Sequence, residues 1–368
     1  MQGGAVVPGC LVRALAPATG CPAGARALIP NALGCAFRAL SPSGRFFSPD
    51  IPMFRFASLN LLALIACCPA LGQETRDLLL VSGQSNAVGY DAYAEDLPAD
   101  PVDQQTLFWW RVGDPPPDEF DATSGRRWTH LQYQPRTEPM SGEAAQKVGR
   151  QYGNFNKKSK GGFGPEMGMV RELMVRSPRR LAVVKVAFSG TSVAGDWNVA
   201  FPGKADACYR ALIDETRAAI EAAKLKEVTL IPRALVWVQG ESDANAKDAP
   251  VYGENLGRML DRLRADLAAP ELVLLLGVNT RFGNGRNGYL PQVVGAQKEV
   301  ASSRHRAAYV DTAGAETLEP SHTHFTAAGT LEVGRRFAEA LLAMDGVFRS
   351  GIEGKAAPGD AQKPAARP

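Results

Sequence analysis

Residues 77–89 read Asp-Leu-Leu-Leu-Val-Ser-Gly-Gln-Ser-Asn-Ala-Val-Gly. A run of Leu and Val without polar alternation is what a strand buried on both faces of a parallel sheet requires. Behind it, Gly83, Gln84 and Ser85 make a strand-to-helix turn, where a serine hydroxyl projects among backbone N–H groups that no helical carbonyl has yet claimed. Four similar apolar runs follow: Leu181 to Phe188, Ala234 to Val238, Leu272 to Val278 and Ala307 to Asp311. Helical patterns lie between them. Asp206 to Leu225 sets Tyr209, Leu212, Ile213, Thr216, Ile220 and Ala223 on one stripe, and Tyr252 to Leu267 repeats the period with Leu256, Met259, Leu260 and Leu263. Gly164 to Val175, Pro291 to Ala301 and Thr326 to Met344 are the remaining helices. Strand alternating with helix predicts a doubly wound α/β sandwich of three layers around a parallel sheet of about five strands.

In such sheets ligands bind beyond the carboxyl ends of the strands, so the residues just after each run are the ones that can carry chemistry. The first run leads into Ser82-Gly83-Gln84-Ser85-Asn86 and the second into Ser189-Gly190-Thr191-Ser192. The third ends in Trp237-Val238-Gln239-Gly240-Glu241-Ser242-Asp243, and His322-Thr323-His324-Phe325 stands just ahead of the last helix. Residues 90–163 break the alternation. They hold Trp109, Trp110 and Trp128, three of the five tryptophans, with Tyr133, Tyr152, Phe155 and the run Pro115-Pro116-Pro117. Such aromatic content argues against disorder; the rings serve either to stack on sugar rings or to pack the insertion onto the sheet.

Upstream, the composition changes. Residues 1–52 set four arginines against the single acid Asp50 and sustain neither a helical nor a strand period. Met53 then opens MFRFASLNLLALIACCPALGQ, with Arg55 as a positive start, Leu59 to Ala66 as a short apolar stretch, and Ala70-Leu71-Gly72 as a small-residue cleavage site. Residues 53–72 therefore read as an export signal, and residues 1–52 as a disordered or non-native extension. Leu64-Ile65-Ala66-Cys67 also has the form of a lipobox, in which Cys67 would be lipidated. Five of the six cysteines lie in this leader, leaving Cys208, on a helix face, as a buried small hydrophobe. The 368-residue chain carries 41 basic and 38 acidic side chains. Residues 73–368 alone carry 36 and 37, which is no electrostatic footprint for nucleic acid. No apolar run reaches the roughly 18 residues that would cross a bilayer. The expected organisation is a leader of 72 residues, one domain over 73–346, and a disordered tail over 347–368.

Together the four segments resemble the SGNH (GDSL-like) hydrolase superfamily, in its branch of sialate O-acetylesterases and family-six acetylxylan esterases. That branch carries G-Q-S-N, matched by Gly83 to Asn86; G-G-T-S, matched by Ser189 to Ser192; W-x-Q-G-E-x-D, matched by Trp237 to Asp243; and an H-F pair, matched by His324-Phe325. The resemblance spans roughly residues 77–345 and implies a flavodoxin-like fold and removal of O-acetyl groups from an acetylated carbohydrate, without cofactor or metal. It implies Ser85 as nucleophile, His324 as general base, and an oxyanion hole from the N–H groups of Ser85 and Gly190 and the side-chain amide of Gln239. Asn86 and Trp197 are the candidate substrate-binding residues, Trp197 being read equally well as core packing. Gly164-Pro165-Glu166 also matches a family segment, with Glu166 as a structural support.

One departure matters. The family usually has an Asp three residues before the catalytic His, and this chain has Ser321 there. Glu241 or Glu319 would then supply the acid, or Ser321 would orient the ring in a Ser-His dyad; Glu241 and Asp243 otherwise read as supports of the third loop. His322 lacks the following Phe and reads as an exposed loop residue, and His130 and His305 stand at no ligand-like spacing. The missing acid also motivates a different reading, a catalytically impaired carbohydrate-binding protein on the same fold. A lipase or thioesterase would want an apolar acyl groove, which the polar and aromatic insertion does not suggest.

Overall fold

The structure, a computed structural model, describes residues 74–137, 154–177 and 179–353, with side chains as far as residue 345. The export signal, Cys67, Tyr152 and residues 354–368 lie outside the described residues.

The five apolar runs form β1 (Glu74–Gly83), β7 (Leu181–Phe188), β8 (Val228–Val238), β9 (Val273–Gly277) and β10 (Ala307–Tyr309). The insertion supplies a further strand, β2 (Leu107–Gly113), and four two-residue strands: β3 (Ala122–Thr123), β4 (Thr129–His130), β5 (Gln134–Pro135) and β6 (Gly161–Gly162). The main sheet runs β10-β9-β8-β1-β7-β2-β3, with β4 also on β2, and β5 pairs separately with β6. Pairing is parallel from β10 to β2, and β3 and β4 run antiparallel to β2. The short helix α1 (Ser85–Val88) follows β1. The longer helices are α2 (Glu166–Arg176), α3 (Ala207–Lys224), α4 (Tyr252–Asp266), α5 (Leu290–Ser302) and α6 (Ala327–Glu353). The last passes the expected boundary at residue 346.

Side chains alternate across the sheet, as the strand period demands. Leu78, Leu80 and Trp109 face a core shared with α3, α4 and α5, whereas Leu79, Val81, Phe108 and Trp110 face a second core shared with α2 and α6. Cys208 is buried in the first. The register of β1 on β8 shifts between Leu78 and Leu79, opposite Pro232 and Ala234. Pro232 has no N–H to give a ladder, so a bulge there is the expected accommodation; the extra residue, Arg233, reaches Asp345 on α6.

β2 decides how the insertion's aromatics are used. Trp109, Trp110 and Phe155 are buried, and Trp128 packs edge-on against Trp109 while its Nε1 donates to the Ala219 carbonyl at 3.0 Å. These rings fasten the insertion to the sheet and to α3. Among the described residues of that group, Tyr133 alone is well exposed, at 40%. The sequence hides β2 because Arg111 interrupts its apolar run; that guanidinium meets Asp121 at 2.7 Å. Among the described residues no helix is long and apolar enough to cross a membrane.

Candidate active site

The carboxyl ends of β1, β7 and β8 carry the first three segments side by side. At the end of β1, Gly83 has φ 138°, and a Cβ there would lie 2.1 Å from the Val238 carbonyl oxygen. Only glycine lets the two strands stay paired at that point. The Gln84 side-chain oxygen then accepts from the N–H groups of Gly240 (3.3 Å) and Ser242 (3.2 Å), locking the first turn to the third. Ser85 opens α1, which closes at Gly89 (φ 83°), packed on the Phe163 carbonyl. The far end of α1 rests on a buried ammonium: Lys185 Nζ donates to Val88 O (2.9 Å), Gln134 Oε1 (2.6 Å) and Glu166 Oε1 (2.8 Å). Burial pushes the Lys185 amine down and Glu166 opposes this, so Glu166 supports the nucleophile turn from below.

Gly190 is exposed at φ 70°, with open space around it. Among the described residues, the N–H groups of Ser85 and Gly190 donate to no protein acceptor. Gln239 differs. It is fully buried, and both its amide hydrogens are engaged, on Thr191 O (3.1 Å) and Asp243 Oδ2 (2.5 Å), while its Oε1 accepts from the Tyr252 hydroxyl. An amide with both hydrogens spent has none to offer an oxyanion. In this structure Gln239 braces the Thr191 turn. Asp243 also accepts from the N–H groups of Val193 (2.9 Å) and Ala194 (3.2 Å), and burial pushes its carboxyl up to about 6. It is a support of both loops.

The fourth segment is held against the first by Asn86. Its Oδ1 accepts from Phe325 N at 3.0 Å and its Nδ2 donates to Thr323 O at 3.2 Å, so the neighbour of Ser85 grips the chain on both sides of His324. The same Nδ2 donates to Glu241 Oε1 at 2.7 Å, which also accepts from Asn279 N at 3.2 Å. Asn279 Nδ2 in turn donates to the carbonyls of His322 (2.8 Å) and Thr323 (3.1 Å). Asn86 is thereby fully occupied and buried, a brace with nothing left to give a substrate. Burial pushes the Glu241 carboxyl up, against the bonds from Asn86 and Asn279.

None of Glu241, Glu319 and Ser321 faces the His324 ring as a partner. Glu319 and Ser321 are exposed, Ser321 Oγ accepting only from Thr323 N at 3.4 Å. The His324 Nδ1 lies 2.6 Å from Asp91 Oδ2, a residue the sequence reading passed over. Asp91 Oδ1 accepts from Asn156 Nδ2, also at 2.6 Å, and the Asn156 N–H donates to Tyr90 O at 3.2 Å. Burial raises the Asp91 carboxyl, but the hydrogen bonds from His324 and Asn156 outweigh it and hold the group below the usual range. The Tyr90 ring tilts over the imidazole at 5.0 Å.

One further expectation changes, and one open pair of readings is narrowed to core packing. His322 is buried at φ 52°, not exposed: its Nδ1 meets Thr317 Oγ1 at 2.8 Å and its Nε2 faces the Arg281 guanidinium at 3.4 Å. Trp197 is completely buried between Phe188 and Trp237, with ring centroids 5.1 Å apart in the latter pair, and lines no open pocket. Among the described residues no group of three or more His, Cys, Asp or Glu side chains could hold a metal ion.

A parallel sheet that presents a serine turn, a glycine-threonine turn, a Gln-Gly-Glu turn and a histidine loop along one edge is the architecture of the SGNH class of hydrolases. The sequence profile of the family described as carbohydrate esterase, sialic acid-specific acetylesterase, matches residues 75–343, and the chain belongs to that family. A probable carbohydrate esterase of Arabidopsis thaliana is 32% identical over 111 residues, a segment that is 30% of this chain and 40% of that protein. The crystal structure of an Arabidopsis thaliana protein superposes with a TM-score of 0.52 at 21% identity, covering 73% of this chain and 98% of the other, a likeness of fold. A carbohydrate acetylesterase from Xanthomonas citri is more distant, with a TM-score of 0.46 at 16% identity over 72% of this chain and 55% of its own.

Proposed function

We propose that the protein is an exported serine esterase that removes O-acetyl groups from carbohydrates, with Ser85 as nucleophile and His324 as general base. The observation that carries this is Asn86, whose side chain ties the residue after Ser85 to both neighbours of His324. Nucleophile and base are thus referenced to one another through a single buried amide. Family membership supports the acetylated carbohydrate as substrate, and the signal-like residues 53–72 support export.

In this reading, Ser85 Oγ attacks the acetyl carbonyl as His324 Nε2 takes its proton. The N–H groups of Ser85 and Gly190, both without an acceptor among the described residues, face the oxyanion that forms. Collapse breaks the bond to the sugar oxygen, which leaves as a hydroxyl with the proton from His324. Water then adds to the acetyl carbonyl, giving a proton to the same nitrogen; collapse breaks the bond to Ser85 Oγ, which takes that proton back, and acetate is released.

The test is hydrolysis of p-nitrophenyl acetate, followed by acetate release from a panel of acetylated glycans. Ser85→Ala should abolish both while leaving the fold intact, and a serine-directed phosphonate should label Ser85 in the parent protein. Full activity in Ser85→Ala would overturn the assignment.

A further inference from the structure

We propose that Asp91 is the acid that orients His324, in place of the Asp this chain lacks at position 321, and that Asn156 of the insertion is the residue that positions Asp91. The proposal rests on the esterase reading above and adds to it where the third group stands and what holds it.

The tautomer argument comes first. A carboxylate only accepts hydrogen bonds, so the 2.6 Å contact to Asp91 Oδ2 places the imidazole proton on Nδ1 and leaves Nε2 as the acceptor a general base needs. The other oxygen of Asp91 is pinned by Asn156 Nδ2, which fixes the direction of the carboxylate plane. Among the described residues no other carboxylate bonds the ring: Glu319 is exposed, and Glu241 acts on His324 only through its charge, its Oε1 being engaged by Asn86 and Asn279. The second histidine of the loop is equally unavailable, since both ring nitrogens of His322 have other neighbours.

Placement explains how an acid so far from the histidine in sequence can serve. Asp91 lies six residues after Ser85, and the intervening turn is closed on the nucleophile itself, with Gly89 N and Tyr90 N both donating to Ser85 O at 2.8 and 3.1 Å. Nucleophile, histidine clamp (Asn86) and acid therefore ride on the single segment 85–91. Position 321 is released from any catalytic duty. The insertion gains one, because Asn156 makes the angle of the base depend on a loop outside the main sheet.

The experiment is steady-state kinetics on Asp91→Asn, with Ser321→Ala and Glu319→Gln as controls. The new amide would present an N–H to Nδ1, driving the imidazole proton to Nε2 where it blocks Ser85, so kcat should fall about 10,000-fold with KM unchanged. The controls should stay within about twofold of the parent, and Asn156→Ala should lose about tenfold in kcat alone. A far-downfield imidazole N–H proton signal, present in the parent and lost in His324→Gln but not in His322→Gln, reports the Asp91 bond without any Asp91 variant. Absence of that signal, or near-parental kcat in a folded Asp91→Asn, overturns the proposal. If Ser85→Ala is inactive at the same time, the esterase reading survives; if Ser85→Ala is active, both fall together.

Discussion

Replacing Asn86 by Ala should cost both stability and rate, and the two losses can be worked out from the contacts it makes. Phe325 N–H is buried and has the Asn86 Oδ1 as its acceptor at 3.0 Å. Orphaning it costs about 1–3 kcal/mol, and losing the 2.7 Å bond to Glu241 costs about 1–2 kcal/mol more. The Thr323 carbonyl adds nothing to this sum, because Asn279 still serves it at 3.1 Å. The expected total is about 3 kcal/mol, read as a lowered urea midpoint with unchanged slope. The rate effect is separate. Without the clamp, His324 keeps its bond to Asp91 but loses its reference to the serine, and a misplacement of about 1 Å costs about 100-fold. Hydrolysis of p-nitrophenyl acetate at temperatures well below the variant's unfolding transition measures kcat on folded protein. Parental kcat in Asn86→Ala, whatever its stability, would refute the claim that Asn86 sets the geometry of the base.

Gln239→Ala should lower stability, since Thr191 O, Asp243 and the Tyr252 hydroxyl all lose a partner. A fall in kcat of about 100- to 1,000-fold at unchanged stability would instead show that its amide serves the oxyanion during the reaction. The carboxyls of Asp121 and Asp243 are both pushed up to about 6, chiefly by burial. The folded chain thus holds these protons after the unfolded chain has released them, so their contribution is whole below the ordinary value of 3.8 and is lost as pH rises to about 6. Urea midpoints of Asp121→Asn measured between pH 4 and 6 should therefore gain on the parent's as pH rises; a constant difference would count against the shift.

The parallel sheet was legible because its central strands are buried on both faces and so show as unbroken apolar runs. β7, from Leu181 to Phe188, is bounded where its run is bounded. β2 was not legible, since Arg111 breaks its run and its partner Asp121 lies ten residues on, beyond any local pattern. At the site, the four motif segments could be placed because each follows a strand or precedes a helix. What they could not show is which hydrogen atoms are already spent. Gln239 and Asn86 look like donors in sequence, and only the packed structure shows their amides consumed by neighbouring turns. Asp91 carried one usable signal, an acid just behind a serine turn that must fold back on itself at Gly89. The pull of the usual acid position three residues before His324 obscured it. His322 misled, and Trp197 kept two equal readings, for a simpler reason: burial is a property of the assembled loops, and a short polar loop gives no period from which to read it.

The docking of β2 between β7 and β3 bears on how this protein could be redesigned. A segment inserted after a nucleophile invites treatment as an exchangeable module, to be swapped for that of a relative with another preference. Here such a swap would remove a strand of the main sheet together with the buried Trp109 and Trp110, and with them both Asp91 and the Asn156 that holds it. The place for grafting is narrower, the turn between Gly113 and Ala122, where the chain leaves the carboxyl end of β2 and returns as β3, with Asp118 and Asp121 kept because both hold Arg111. Variation confined to the rest of that turn changes the surroundings of Tyr90, on which the charge of Asp114 acts and whose ring lies over His324, while the sheet and the histidine keep their anchors.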